Sequence, residues 1–128
     1  MTAAVADYRP EIQAANKIKK ENNDELIVKL VKNPDILSEI CKTKKEHQQV
    51  IGFCAESENL IEYAKAKIKR KNCDYIIAND ISKKDSGFSS EYNEVFVINK
   101  DLNITGLERD TKENIASRIL ELLYGKNN

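Results

Sequence analysis

The chain has 128 residues, 41 % apolar and 33 % charged, and its 21 Lys+Arg balance 21 Asp+Glu to a formal net charge of zero. That is length for one domain with a packed core. It excludes a wholesale polyanion binder coated in one sign of charge, and a chain too polar to fold, so neither a nucleic-acid partner nor general disorder is expected. No apolar run of about eighteen residues occurs, and residues 1–7 lack the basic and long apolar regions of a secretory leader. A cytoplasmic protein without a membrane partner is expected.

Residues 2–6, Thr2-Ala3-Ala4-Val5-Ala6, form a small-residue apolar run that predicts a buried strand ending at Asp7. Residues 8–25 show little helical pattern and carry Lys17-Ile18-Lys19-Lys20. A connection of that length is a lid, a binding loop or a solvated loop. Residues 26–31 read as a strand. Asn33-Pro34-Asp35 then predicts a helix start, with Asn as cap, Pro at the first helical position and Asp at the positive end of the dipole. That helix runs to about Lys44 with Ile36, Leu37 and Ile40 inward.

Residues 49–53 predict the next strand, and residues 58–71 a helix with Leu60, Ile61, Ala64 and Ile68 on one face. Residues 75–78 are a third buried run. Residues 94–98 are a fourth, pairing with 104–107 as a hairpin through 99–103. The last helix is expected from Asp110, with Glu113 as its capping-box partner and Ile115, Ile119, Leu122 and Leu123 as its stripe.

Strands alternating with helices predict an α/β domain with a mostly parallel sheet. Ligands of such sheets sit at the carboxyl ends of strands. Here those ends are Asp7-Tyr8-Arg9, Asn33-Pro34-Asp35, Phe53-Cys54-Ala55-Glu56 and Asn79-Asp80-Ile81-Ser82. Asn79 and Asp80 have two open roles, lining a site or starting the turn before Ser82. The four glycines form neither GxGxxG nor a P-loop. The first strand also starts at the first residues, so the sheet is expected to lack an N-terminal βαβ portion.

Charge is even in total but not along the chain. Excess lysine gathers at residues 17–20 and at Lys65-Ala66-Lys67-Ile68-Lys69-Arg70-Lys71. Such knots are solvated faces or hold one small anion. The three cysteines, Cys41, Cys54 and Cys73, are far apart with no CxxC pair, which fits reduced thiols and argues against a disulfide framework or zinc site. The single histidine, His47, lies in a polar stretch and is expected at the surface.

Several of these segments together resemble phosphopantothenate–cysteine ligase, the C-terminal half of the bifunctional coenzyme A biosynthesis flavoprotein of many bacteria. The resemblance rests on Ala3-Ala4-Val5-Ala6-Asp7-Tyr8-Arg9-Pro10, Lys17-Ile18-Lys19-Lys20 and Lys29-Leu30-Val31-Lys32-Asn33-Pro34-Asp35-Ile36-Leu37. It continues through Gly52-Phe53-Cys54-Ala55-Glu56-Ser57, residues 67–71, and Ala78-Asn79-Asp80-Ile81-Ser82 followed by Gly87-Phe88, and covers residues 1 to about 124.

The resemblance implies a Rossmann-like three-layer fold, a homodimer, and CTP with Mg²⁺ as co-substrate. The implied reaction activates the 4′-phosphopantothenate carboxylate as an acyl-cytidylate, and cysteine's amine then displaces CMP. The small molecules 4′-phosphopantothenate, cysteine and CTP are the implied partners. The family's upstream half, with its Gly-rich and asparagine-bearing segments, has no counterpart here, and neither has the flavin-dependent half, so no FMN is expected. The chain is thus read as a partial ligase domain, 1–128, with 8–25 lid-like. The alternative is an inactive nucleotide-binding or dimerisation fragment.

Residue by residue, the resemblance places Met1, Thr2, Ala3, Asp7, Pro34, Asp35, Ile36, Leu37, Phe53, Lys67 and Lys71 at the nucleotide. It makes Lys17 both a nucleotide contact and the catalytic lid lysine. No protein metal ligands are assigned. Each residue also has an ordinary alternative: strand packing for 1–3, helix stabilisation for Asp35, a core place for Phe53, and solvated charge for the lysines. Lys65 and Lys69 are expected to face solvent.

Overall fold

In the computed structural model the described residues are 5–19, 25–82 and 90–125. They fall into two compact units, residues 1–36 and 37–128.

The first unit is a short antiparallel ribbon. Strand β1 (Tyr8–Pro10) pairs with β2 (Leu30–Lys32), Arg9 opposite Val31. Glu11 N–H extends the ladder to Lys29 O at 2.9 Å, and Lys29 Nζ meets Glu11 Oε2 at 2.9 Å. This revises two expectations. The strand expected over residues 2–6 is not formed by Val5 and Ala6, and residues 1–4 lie outside the described residues. Of the run 26–31, only Leu30 and Val31 enter a strand. Leu26 and Ile27 are 68 % and 91 % exposed. A two-stranded ribbon of three-residue strands has no second layer to cover such side chains.

The second unit holds a four-stranded sheet in the order β3-β4-β5-β6. Its elements after helix α1 (Ile36–Thr43) are β3 (Ile51–Glu56), α2 (Leu60–Lys71), β4 (Tyr75–Asp80), β5 (Tyr92–Asn99), β6 (Ile104–Thr111) and α3 (Lys112–Tyr124). The expected α/β class is found. The sheet is mixed: β3 and β4 are parallel, while β4–β5 and β5–β6 are antiparallel. Only eleven residues separate Asp80 from Tyr92. A parallel return needs a crossover of about a dozen residues or more, usually with a helix. The β5–β6 hairpin forms where the sequence placed it. Asn99 Oδ1 closes its turn by accepting from Asp101 N–H and Asn103 N–H at 3.1 and 2.9 Å.

Side-chain alternation along β4 builds two cores. Ile76 and Ala78 face Cys41 of α1 and Ala64 and Ile68 of α2, with Cys54, Cys73 and Ile98. Ile77 faces the other way, onto Val95, Val97, Leu107 and Ile115 of α3. Helices therefore cover both faces, which gives the three layers expected. Gly52 lets β3 approach α1, since a Cβ there would lie 2.9 Å from Leu37 Cδ2 and 2.7 Å from Ile76 Cδ1.

Two helix starts differ in detail. Helix α1 begins at Ile36, not Pro34, and the Asn33 side chain bonds Ala6 O instead of capping. In α3 the cap is Thr111, whose Oγ1 accepts from Asn114 N–H at 3.2 Å. Asp110 instead accepts from Thr111 N–H and Asn114 Nδ2.

Candidate functional site

Parallel pairing sets β3 beside β4, with Phe53 opposite Ile77 at mid-strand and, at the carboxyl ends, Ala55 opposite Asn79 and Glu56 opposite Asp80. Paired residues share a face, so Phe53, Ala55 and Asn79 lie on the Ile77 side of the sheet. Phe53 is 60 % exposed, which removes the core role that a phenylalanine in an apolar run would ordinarily have. Asn79 presents the opposite anomaly. Its Oδ1 is buried and accepts no hydrogen bond. A carbonyl oxygen in that state costs about 1–3 kcal/mol unless a donor reaches it.

Helix α2, which returns from the carboxyl end of β3 to the amino end of β4, adds charge along the strand pair. Lys67 Nζ donates to Phe53 O at 2.9 Å, which joins two of the expected site residues. An ammonium has three donors, so this bond leaves capacity for another acceptor. The Cys54 thiol beside it is buried, and desolvation raises its pKa, while the Lys67 ammonium pulls it back. Lys71 is the last residue of α2 and is half-buried. Lys69 is exposed as expected. Lys65 is instead half-buried, 3.8 Å from Glu62 Oε1. Asp80 starts the turn: its Oδ1 accepts from Ser82 N–H at 2.9 Å and from Ser82 Oγ at 2.6 Å.

At the other end of β4, Lys44 Nζ grips both oxygens of Asp74 at 2.5 and 2.6 Å, and Val50 N–H donates to Asp74 Oδ2 at 2.7 Å. Partial burial pushes the Asp74 carboxyl up, but these partners outweigh it and hold the pKa below its ordinary value. Cys41 and Cys73 are buried free thiols, and burial drives Cys73 to about 11. His47 is exposed.

The ribbon unit carries the remaining expected residues. Asp7 is exposed, and its main-chain oxygen accepts from Asn33 N–H at 2.8 Å. Pro34, Asp35 and Ile36 follow directly and are exposed. Asp7 and this segment are therefore brought together, through Asn33. Lys17 lies in an exposed stretch. Leu37 belongs to the second unit and packs against the α1–α2 core. Met1, Thr2 and Ala3 lie outside the described residues, as does Gly87-Phe88.

Among the described residues no three His, Cys, Asp or Glu side chains gather as a metal site. A magnesium ion riding on a nucleotide needs less. It keeps several waters and takes one or two carboxylates plus phosphate oxygens, and exposed Asp7 fits that demand.

The family model of the DNA/pantothenate metabolism flavoprotein C-terminal domain matches residues 1–125. The coenzyme A biosynthesis bifunctional protein CoaBC of Borreliella burgdorferi is 48 % identical over 123 residues, covering 95 % of this chain and 30 % of the relative. CoaBC of Escherichia coli K12 is 43 % identical over 122 residues, covering 93 % and 30 %. A crystal structure of the C-terminal domain of CoaBC superposes with a TM-score of 0.69 at 33 % identity, over 94 % of this chain and 50 % of that one. The chain thus spans 30 % of the length of these curated relatives and half of the solved domain.

Proposed function

This chain belongs to the DNA/pantothenate metabolism flavoprotein C-terminal domain family, and from that membership we propose that it forms the nucleotide-holding part of a CTP-dependent phosphopantothenate–cysteine ligase in coenzyme A biosynthesis. In the proposed reaction a carboxylate oxygen of 4′-phosphopantothenate attacks the α-phosphorus of CTP, and pyrophosphate leaves. The cysteine amine then attacks the acyl carbon, loses a proton and expels CMP. The proposed ligase is a cytoplasmic homodimer whose partners are these small molecules.

One observation carries the reading: an exposed aromatic ring at mid-strand and an orphaned buried acceptor two residues nearer the carboxyl end share one face of the parallel β3–β4 pair. The Phe53 ring would lie on the base or ribose. Asn79 Oδ1 would accept from a nucleotide N–H, so Asn79 joins the proposed site. Lys67 and Lys71 would share phosphate charge. Their i,i+4 repulsion, a few tenths of a kcal/mol in an isolated helix, would turn into attraction around an anion.

The family resemblance alone assigns Asp7 of the ribbon to a ribose hydroxyl or the magnesium ion, and Pro34, Asp35 and Ile36 to nucleotide contacts. The small residues Met1, Thr2 and Ala3 would allow close backbone approach. Lys17 would stabilise charge that develops as the acyl-cytidylate forms and collapses. Leu37 would support the site by packing. Magnesium, when bound, neutralises triphosphate charge.

A second reading is a nucleotide-binding or assembly fragment without turnover. Chemical-shift mapping with CTP·Mg tests what the two readings have in common. Resonances of Phe53 and the Asn79 amide are expected to move together. Shifts confined to the β5–β6 turn would sink the placement.

A further inference from the structure

Resting on the nucleotide reading above, we propose that Asn33 is a positioning residue: it pins both peptide planes that flank Asp7 and so aims the Asp7 carboxylate relative to Pro34 and Asp35. Asn33 Nδ2 donates to Ala6 O at 2.6 Å. Asn33 N–H donates to Asp7 O at 2.8 Å. The first oxygen belongs to the peptide before the Asp7 Cα and the second to the peptide after it. Fixing both planes leaves little freedom for φ and ψ at Asp7, because each peptide is itself rigid. The same residue is chemically bonded to Pro34, so the two segments share one anchor.

Arg9 sets which way the Asn33 amide points. Its Nη1 donates to Asn33 Oδ1 at 3.1 Å and to Lys32 O at 2.9 Å. A guanidinium only donates and a main-chain carbonyl only accepts. Arg9 therefore demands the oxygen end of the amide, and Ala6 O demands the nitrogen end. A flipped amide would break both bonds at once. Burial agrees with this role. Among the described residues of the ribbon unit, only Val31 and Asn33 are half-buried, and all others are exposed. The ribbon, which lacks an apolar core, closes around this polar clasp.

A clasp that acts through Asp7 predicts non-additive losses, which a general contribution to ribbon stability does not. Calorimetric titration of the full chain with CTP·Mg reads this out. Asp7→Ala and Asn33→Ala are each expected to weaken binding by about tenfold, and the double variant by no more than about threefold beyond either. Losses that multiply to about a hundredfold, or an Asn33→Ala chain that binds normally, would overturn the positioning role. Arg9→Ala leaves Asn33 in place and repeats the cycle if Asn33→Ala does not fold. Its expected loss of about threefold should vanish in the Asp7→Ala background, and persistence there would count against the clasp. An unaltered chain that binds no CTP·Mg fails the nucleotide reading and the positioning role together. A binding chain with multiplicative losses fails the positioning role alone.

Discussion

Phe53 and Asn79 are abnormal in opposite senses, an apolar ring in solvent and a polar oxygen without it. If a nucleotide resolves both, truncating either weakens it. Phe53→Ala is expected to raise the CTP dissociation constant about tenfold, on the order of the 1–3 kcal/mol that base–aromatic stacking contributes. Asn79→Leu separates ligand from fold. It removes the orphaned acceptor, so the melting temperature should hold or rise while CTP affinity falls, and unchanged affinity would discard the Asn79 role.

Asp74 has a different fate. Its depressed pKa means that the unfolded carboxyl binds protons more readily than the folded one. Its contribution is then complete above the unfolded value of about 3.9 and fades as pH falls through the folded pKa. Urea unfolding of Asp74→Asn should show about 1–3 kcal/mol less stability at pH 7. The difference should shrink toward pH 3. A gap that stays constant with pH would contradict the ion pair. None of the three side-chain environments was legible in the sequence. A phenylalanine, an asparagine and an aspartate look alike whether their neighbours are solvent, a core or a lysine 30 residues away.

Elements were more legible where the signal was local. The amphipathic stripe of α2 and the hairpin turn at 99–103 could be read directly, because periodicity and turn chemistry are properties of neighbouring residues. Pairing partners were not: Tyr8–Pro10 is a strand only because residues 30–32 lie beside it, and a run of three containing Pro gives no strand signal alone. The antiparallel β4–β5 pairing was readable in principle from the short connection, but the strand–helix alternation before it suggested continued parallel order.

Helix α2 also ends by a local device. Asn72 adopts φ 56°, ψ 39° and donates its N–H to Ile68 O. Asparagine tolerates this left-handed conformation, and a β-branched residue does not. Asn72→Val should lose about 1–2 kcal/mol in chemical denaturation. Asn72→Gly should lose nothing or gain. Equal stability of the two variants would mean that the left-handed turn is not maintained in solution.

At the scale of the molecule, zero net charge hides a division of labour. Lys44 is spent on Asp74 at the amino end of β4, whereas Lys67 stands at the Phe53 carbonyl in the middle of β3. The three-layer α/β order could be read from the sequence because two helix stripes and the alternating apolar runs demand burial on both faces. The proposed site has the β3–β4 pair and α2 hold a cytidine triphosphate. Isothermal titration of the full chain with CTP·Mg, beside Lys67→Ala/Lys71→Ala, decides whether they do. Saturable binding is expected, weakened in the double variant by at least about tenfold, the scale of one charge-assisted hydrogen bond. No heat from the unaltered chain, or equal affinity in the double variant, would contradict it.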